Sequence, residues 1–158
     1  MKAVDPDRLR RSYEKGRRYF PALNLERANL AAFDLKHVEL TRSNLAEASL
    51  RKACLSHAYL TRTDLSSSDL SGANLSHANL VGARLQQTQL VDANLSEAIL
   101  VEADLTLANL SGANLRGANL FRAKLKGAIY NDRTRFNPDF DPEKARMTKL
   151  QPQTASLD

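Results

Sequence analysis

Three histidines occur in the chain, His37, His57 and His77, and they fall twenty residues apart. Imidazole is a frequent ligand of zinc and copper, so three of them gathered on one surface would suggest a metal ladder. Only Glu97 continues that spacing, and no second set of polar residues is placed to orient the rings, which favours a solvated stack over a metal centre. Ser56 stands beside His57 as a hydroxyl next to a base, but nucleophilic catalysis also needs a pocket and an oxyanion site. The one cysteine, Cys54, excludes an internal disulfide and a cysteine-based zinc cluster, and fits a reducing compartment. No phosphate-loop, metallohydrolase or serine-hydrolase motif is present, so no enzyme, no cofactor and no small-molecule substrate is expected. What these side chains can do depends on the element that carries them.

That element is written in a five-residue period. Leucine occupies every multiple of five from Leu25 through Leu125, 21 consecutive positions, and Tyr130 takes the next. If this centre is position 0, alanine fills position −2 in 15 of the 22 slots from Leu23 to Ala128. The exceptions are Leu23, Phe33, Val38, Ser43, Thr63, Ser68 and Thr88. Position −1 is Asn or Asp in 13 of the 22. On an α-helix five residues advance about 500°, which scatters the leucines around the axis. In a straight strand an odd period sends alternate leucines to opposite faces. Every Leu and Ala stays inside only if each pentapeptide is a short extended piece, with −2 and 0 pointing inward, followed by a corner at +1 and +2.

Five of the six glycines, Gly72, Gly82, Gly112, Gly117 and Gly127, sit at +2, where a sharp corner can demand a positive φ. All five prolines lie outside residues 22–137, as backbone ladders require. Asn and Asp at −1 suit turns, because their short side chains can hydrogen-bond nearby backbone. Four right-angled corners close a square coil of about 20 residues, and stacked coils rise by about 4.8 Å each. Residues 23–127 then make an all-β solenoid of about five coils, roughly 25 Å tall.

The tandem A(N/D)LXX units, GANLSHANL and GANLRGANL among them, resemble the pentapeptide repeat family. The resemblance implies a right-handed quadrilateral β-helix, no catalysis and a binding role, and several members of the family are DNA mimics that bind type II topoisomerases. The flanks, LRRSYEKGRRYFPALNLERANL and AIYNDRTRFNPDFDPEKARM, are similar to those of pentapeptide proteins common in cyanobacteria.

A solenoid must hide its open first and last coils, and both flanks read as short helical caps. Residues 1–22 form the N-terminal cap, with Asp5 as N-cap, Pro6 in the first turn, Leu9 and Tyr13 on one face and Gly16 as a stop, giving a helix over 6–15. The β-helix occupies 23–130. Asp141 and Pro142 repeat the helix-start signal, so residues 131–150 form a C-terminal cap with a short helix over about 142–149, and 151–158 form a flexible tail. With 26% charged residues and no continuous apolar segment, neither a membrane span nor a secretory signal is expected, and the cytoplasm is the default address.

Function must therefore lie on the outer surface, which sorts into columns by residue number modulo twenty. One side carries Thr41, Thr61, Val81, Val101 and Phe121 at +1 and Glu39, Tyr59, Asn79, Ile99 and Asn119 at −1. Tyr59, Val81, Ile99, Val101 and Phe121 form a candidate partner surface, for another protein or for a second copy of the chain. Residues 23–130 hold 11 basic and 10 acidic residues, a net charge of +1 with the signs mixed. A DNA mimic needs a continuous negative field, so topoisomerase binding by mimicry is disfavoured. The basic N-terminal run Arg8, Arg10, Arg11, Lys15, Arg17 and Arg18 offers a nucleic-acid alternative, although it reads more simply as the solvated face of a cap. The sequence thus describes a non-enzymatic scaffold for an unidentified protein partner.

Overall fold

The computed structural model describes residues 4–151. Within them the chain winds into a column in which residues at −1 pair in parallel, almost everywhere with the residue twenty positions on. Four columns of bridges result, and each defines a side. Side one runs Tyr19, Glu39, Tyr59, Asn79, Ile99, Asn119, and side two Asn24, Asn44, Asp64, Arg84, Asp104, Lys124. Side three runs Asn29, Ser49, Asp69, Gln89, Asn109, Ile129, and side four Asp34, Cys54, Asn74, Asn94, Asn114, Arg135.

The period works because it disposes of four backbone N–H groups in five by ladder and turn, and of most of the fifth by a side-chain cap. The N–H at 0 donates to the −1 carbonyl of the next coil at 2.7–2.9 Å, as Leu75 does to Asn94. The N–H at +2 donates to the +1 carbonyl of the next coil, and the N–H at −1 donates back to the −2 carbonyl of the coil before. The N–H at −2 closes a turn onto the carbonyl of position 0, as Ala78 does onto Leu75 at 3.0 Å. The fifth, at +1, has no ladder partner. All 13 Asn and Asp residues at −1 supply one, accepting that N–H through Oδ1 at 3.0–3.3 Å. Position −1 is therefore an Asx cap repeated down the column.

Each corner has φ > 0 at +2, the third residue of its hydrogen-bonded turn, which is the mark of a type II turn. All 22 corners from Ala22 to Gly127 share it, and 17 of them are not glycine. The ladders on both flanks of each corner hold these residues in a region that costs an L-residue about 1 kcal/mol or more. Glycine relieves that cost where it occurs, and elsewhere the stack carries it.

Inside, the leucines from Leu25 to Leu115 are at most 1% exposed, each contributing about 1.5–3 kcal/mol of burial. Hydroxyls that replace alanine at −2 are buried but satisfied by main-chain carbonyls: Thr63 Oγ1 donates to Leu40 O at 2.9 Å, and Ser68 Oγ and Thr88 Oγ1 both donate to Leu65 O at 2.7 Å.

The two ends differ. Helix α1, Pro6–Glu14, has Asp5 as its N-cap and buries Leu9 against the core, while Val4 N–H donates to Asn24 O. The bridge ladder begins at Tyr19, inside the expected cap. At the other end the expected helix over 142–149 is absent. Asp141 Oδ1 accepts from the N–H groups of Glu143 and Lys144, so the turn starts as a helix would, but it ends at Arg146 with φ 56°. The open edge of the last full coil competes for the chain. Strands β1, Ile129–Tyr130, and β2, Thr148–Lys149, pair in parallel, and Thr148 and Leu150 N–H groups satisfy the Ala128 and Tyr130 carbonyls. Phe136, Phe140, Ala145 and Met147 pack against the core end. The tail expected over 151–158 lies, beyond Gln151, outside the described residues.

Four of the Asx caps, Asp34, Asp64, Asp69 and Asp104, also carry ion pairs. Burial raises the Asp69 carboxyl, but hydrogen bonds from Ser71 and Arg51 outweigh it and leave the pKa lowered. Asp104 is likewise lowered against burial by Thr106, Lys124 and Gln86. Because the unfolded chain takes up these protons first, their contribution is complete at neutral pH and is lost as pH falls below the ordinary carboxylate range of about 4. The double variant Asp69→Asn, Asp104→Asn keeps both Oδ1 acceptors. Urea unfolding from pH 7 to pH 2.5 should show a flatter acid decline for it than for wild type.

Candidate interaction surface

The histidines stack as the twenty-residue spacing requires. Ring centroids of His37 and His57 lie 4.9 Å apart and those of His57 and His77 4.8 Å apart, with interplanar angles of 13° and 3°. Imidazole lone pairs lie in the ring plane, so parallel stacked rings aim their nitrogens side by side and cannot converge on one ion at the roughly 2.0 Å that zinc needs. Among the described residues no group of three or more His, Cys, Asp or Glu is arranged to hold a metal. The column is an exposed corner of rings.

Side one carries the apolar residues singled out by the sequence. Tyr59, Ile99 and Phe121 are 51%, 40% and 62% exposed, and Val81 and Val101 are half-buried beside them. The bridges place Tyr59 and Ile99 two rungs apart in the −1 column, with Thr61, Val81, Val101 and Phe121 following at +1. Tyr19, which sequence reading assigned to the cap, begins the same column and is 65% exposed. Its place was legible in its number, one less than a multiple of twenty, but the missing leucine at 20 hid the register. The C-terminal segment leaves the three large side chains open.

Charge is arranged differently on the other sides. Four cations there are matched with anions from neighbouring coils: Arg27 with Glu47 at 2.8 Å, Arg51 with Asp69 at 2.8 Å, Arg84 with Asp64 at 3.4 Å and Lys124 with Asp104 at 3.8 Å. The N-terminal basic run is also largely occupied. Arg10 pairs with Asp7 and Glu14, and Arg11 with Asp5. Arg18 lies 3.7 Å from the Tyr13 ring centroid and donates to Tyr13 O, while Arg17 lies over Phe20 and donates to Tyr19 O. These cations hold the end of the column, which leaves Arg8 and Lys15 of the run without an ion pair among the described residues. Among those residues no helix is long and apolar enough to cross a membrane.

The profile for pentapeptide repeats (8 copies) matches residues 24–62, 58–96 and 88–127. No curated protein matches the chain. Solved structures do. HetL, a pentapeptide repeat protein involved in heterocyst differentiation regulation from the cyanobacterium Nostoc, is 30% identical over 85% of this chain and 70% of its own, with a TM-score of 0.45. Rfr23 from the cyanobacterium Cyanothece is 31% identical over 82% and 97%, with a TM-score of 0.48. A further Nostoc pentapeptide repeat protein is 32% identical over 95% and 99%, with a TM-score of 0.42.

The histidine geometry yields a direct expectation. Isothermal titration of the metal-free chain with zinc or copper should show no stoichiometric site, and His57→Ala should not change the trace. Saturable uptake of one ion per chain that disappears in His57→Ala would show that the rings rotate out of their stack to ligate.

Proposed function

From the premise that the chain belongs to the pentapeptide repeat family, whose fold is the right-handed quadrilateral β-helix, we propose that it is a non-enzymatic scaffold that binds a protein partner through side one. The observation that carries this reading is the exposure of Tyr59, Ile99 and Phe121 on one side of a rigid column in which sides two and three carry ion pairs between coils. Exposed large apolar side chains in register lose water on contact, and a ladder-held backbone keeps them preorganised, so little ordering entropy opposes binding. About five stacked coils make the column, and α1 closes one end of it.

The flat sides offer no enclosed pocket in which a hydroxyl and a base could act on a substrate, which supports a binding role over catalysis. Mimicry of DNA is disfavoured because carboxylates on the column are neutralised by neighbouring cations, leaving no continuous negative strip. Nucleic-acid binding through the N-terminal run is disfavoured because most of those arginines are held by rings, carbonyls and carboxylates. A cytoplasmic setting goes with the free thiol of Cys54.

Affinity capture with the wild-type chain and with the double variant Ile99→Lys, Phe121→Glu tests the proposal. Both substitutions lie on the outside, so the leucine ladder and thermal unfolding should be unaffected. A protein retained by wild type and lost by the variant is the expected result; identical capture by both baits would remove side one as the partner surface.

A further inference from the structure

Side one leaves two +1 donors unmet beside large apolar side chains; the +1 amides of Arg51, Ser56, Gln86, Val91 and Lys126 on the other sides likewise have no acceptor among the described residues, but they stand among polar and charged side chains. Tyr59 and Ile99 stand at −1, where Asn or Asp elsewhere accepts the +1 amide, and the N–H groups of Thr61 and Val101 have no acceptor among the described residues. On the same side Asn79 shows the complete arrangement, its Oδ1 accepting from Val81 N–H at 3.1 Å. Side chains at −1 point away from the core, so the amides they would cap face outward too.

The corners that flank this side add further donors. Arg42 and Arg62 are exposed, one rung apart, and carry no ion pair among the described residues; Lys52, Arg116 and Lys126 are likewise unpaired there but do not stack on a neighbouring cation beside this apolar side. His37, His57 and His77 rim the opposite corner. Glu39, the carboxylate carried at −1 on this side, is engaged with its own corner, Oε1 accepting from Thr41 N–H at 2.9 Å. Outward amides and free guanidiniums beside apolar side chains call for carboxylates carried on an apolar chain.

We propose that side one receives an extended acidic peptide of its partner, whose Asp or Glu carboxylates accept from the Thr61 and Val101 amides and pair with Arg42 and Arg62. Its aliphatic or aromatic residues pack on Tyr59, Val81, Ile99 and Phe121. This rests on the reading of side one as the partner surface and adds the chemistry of what binds there. Thr61 and Val101 are two rungs apart, about 9.6 Å, and three extended residues span that distance, so the carboxylates recur at i and i+3. A nucleic acid would supply anions and could stack bases on Tyr59 and Phe121, but the aliphatic Val81, Ile99 and Val101 between them favour a peptide.

Fluorescence polarisation with the full chain tests the proposal. The probes are a labelled nonapeptide with Glu at every third position among Leu and Phe, its Lys-for-Glu counterpart, and a labelled oligothymidylate. The Glu peptide should bind and the Lys peptide should not. Binding should weaken about tenfold or more in Arg42→Ser, Arg62→Ser. The same should hold for Tyr59→Asp, which supplies the chain's own acceptor to Thr61, with thermal unfolding of both variants unchanged. Equal binding of the two peptides, preference for the oligothymidylate, or full binding by both variants would overturn the proposal. If lysate capture depends on Ile99 and Phe121 while the Glu peptide ignores Arg42 and Arg62, side one remains the partner surface and the acidic peptide is discarded.

Discussion

The column depends on the coil-to-coil backbone ladders, and most of its units also find an acceptor for the fifth amide. A pentapeptide that turns a corner spends four of its N–H groups on coil-to-coil ladders and on the turn itself, and leaves the +1 amide facing outward with nothing above or below it. An uncapped +1 amide faces water, so each cap adds about 0.5–1.5 kcal/mol net, and that gain recurs wherever the cap does. A short side chain ending in an oxygen, one residue before the leucine, supplies it. Asn and Asp fit because their Oδ1 reaches two residues ahead and no further.

From that local solution the global features follow. With the amides settled, the leucines can stack in register and exclude water, and the ladders hold corner residues in a left-handed conformation that 17 side chains would otherwise resist. The same closure frees the outer positions. Charges placed there pair between coils, as Arg27 and Glu47 do, without disturbing the interior. Exchanging Asn for Tyr59 or Ile99 gives up the cap at one corner and gains an exposed apolar side chain. A binding surface on such a column is thus made by departures from the repeat.

Much of this was legible in the residues. The unbroken leucine period fixed the inward positions and the four-sided coil, and the Asn and Asp at −1 announced their backbone role. Glycine at five corners correctly signalled positive φ, yet its absence at the other 17 said nothing against it, because there the stack imposes the conformation. The C-terminal end was misread: Asp141 and Pro142 do start a turn, but local capping signals cannot register that an open coil edge twenty residues earlier in the chain will claim Thr148 and Leu150. The histidine ladder was legible in position and not in ring orientation, which depends on stacking between coils. The side-one surface was visible as a column, whereas the unmet amides of Thr61 and Val101 emerge only once each hydrogen bond is assigned.

Hydrogen exchange followed residue by residue by NMR tests the closure most directly. Val81 and Val101 occupy the same +1 position on the same side in successive coils, with Asn79 before one and Ile99 before the other. The amide of Val81 should be protected well beyond that of Val101, and Ser76 and Ser96, which follow Asn74 and Asn94, should share the protection of Val81. Equal exchange at Val81 and Val101 would mean that the side chain at −1 does not close the unit, and that the column is held by its ladders and leucines alone.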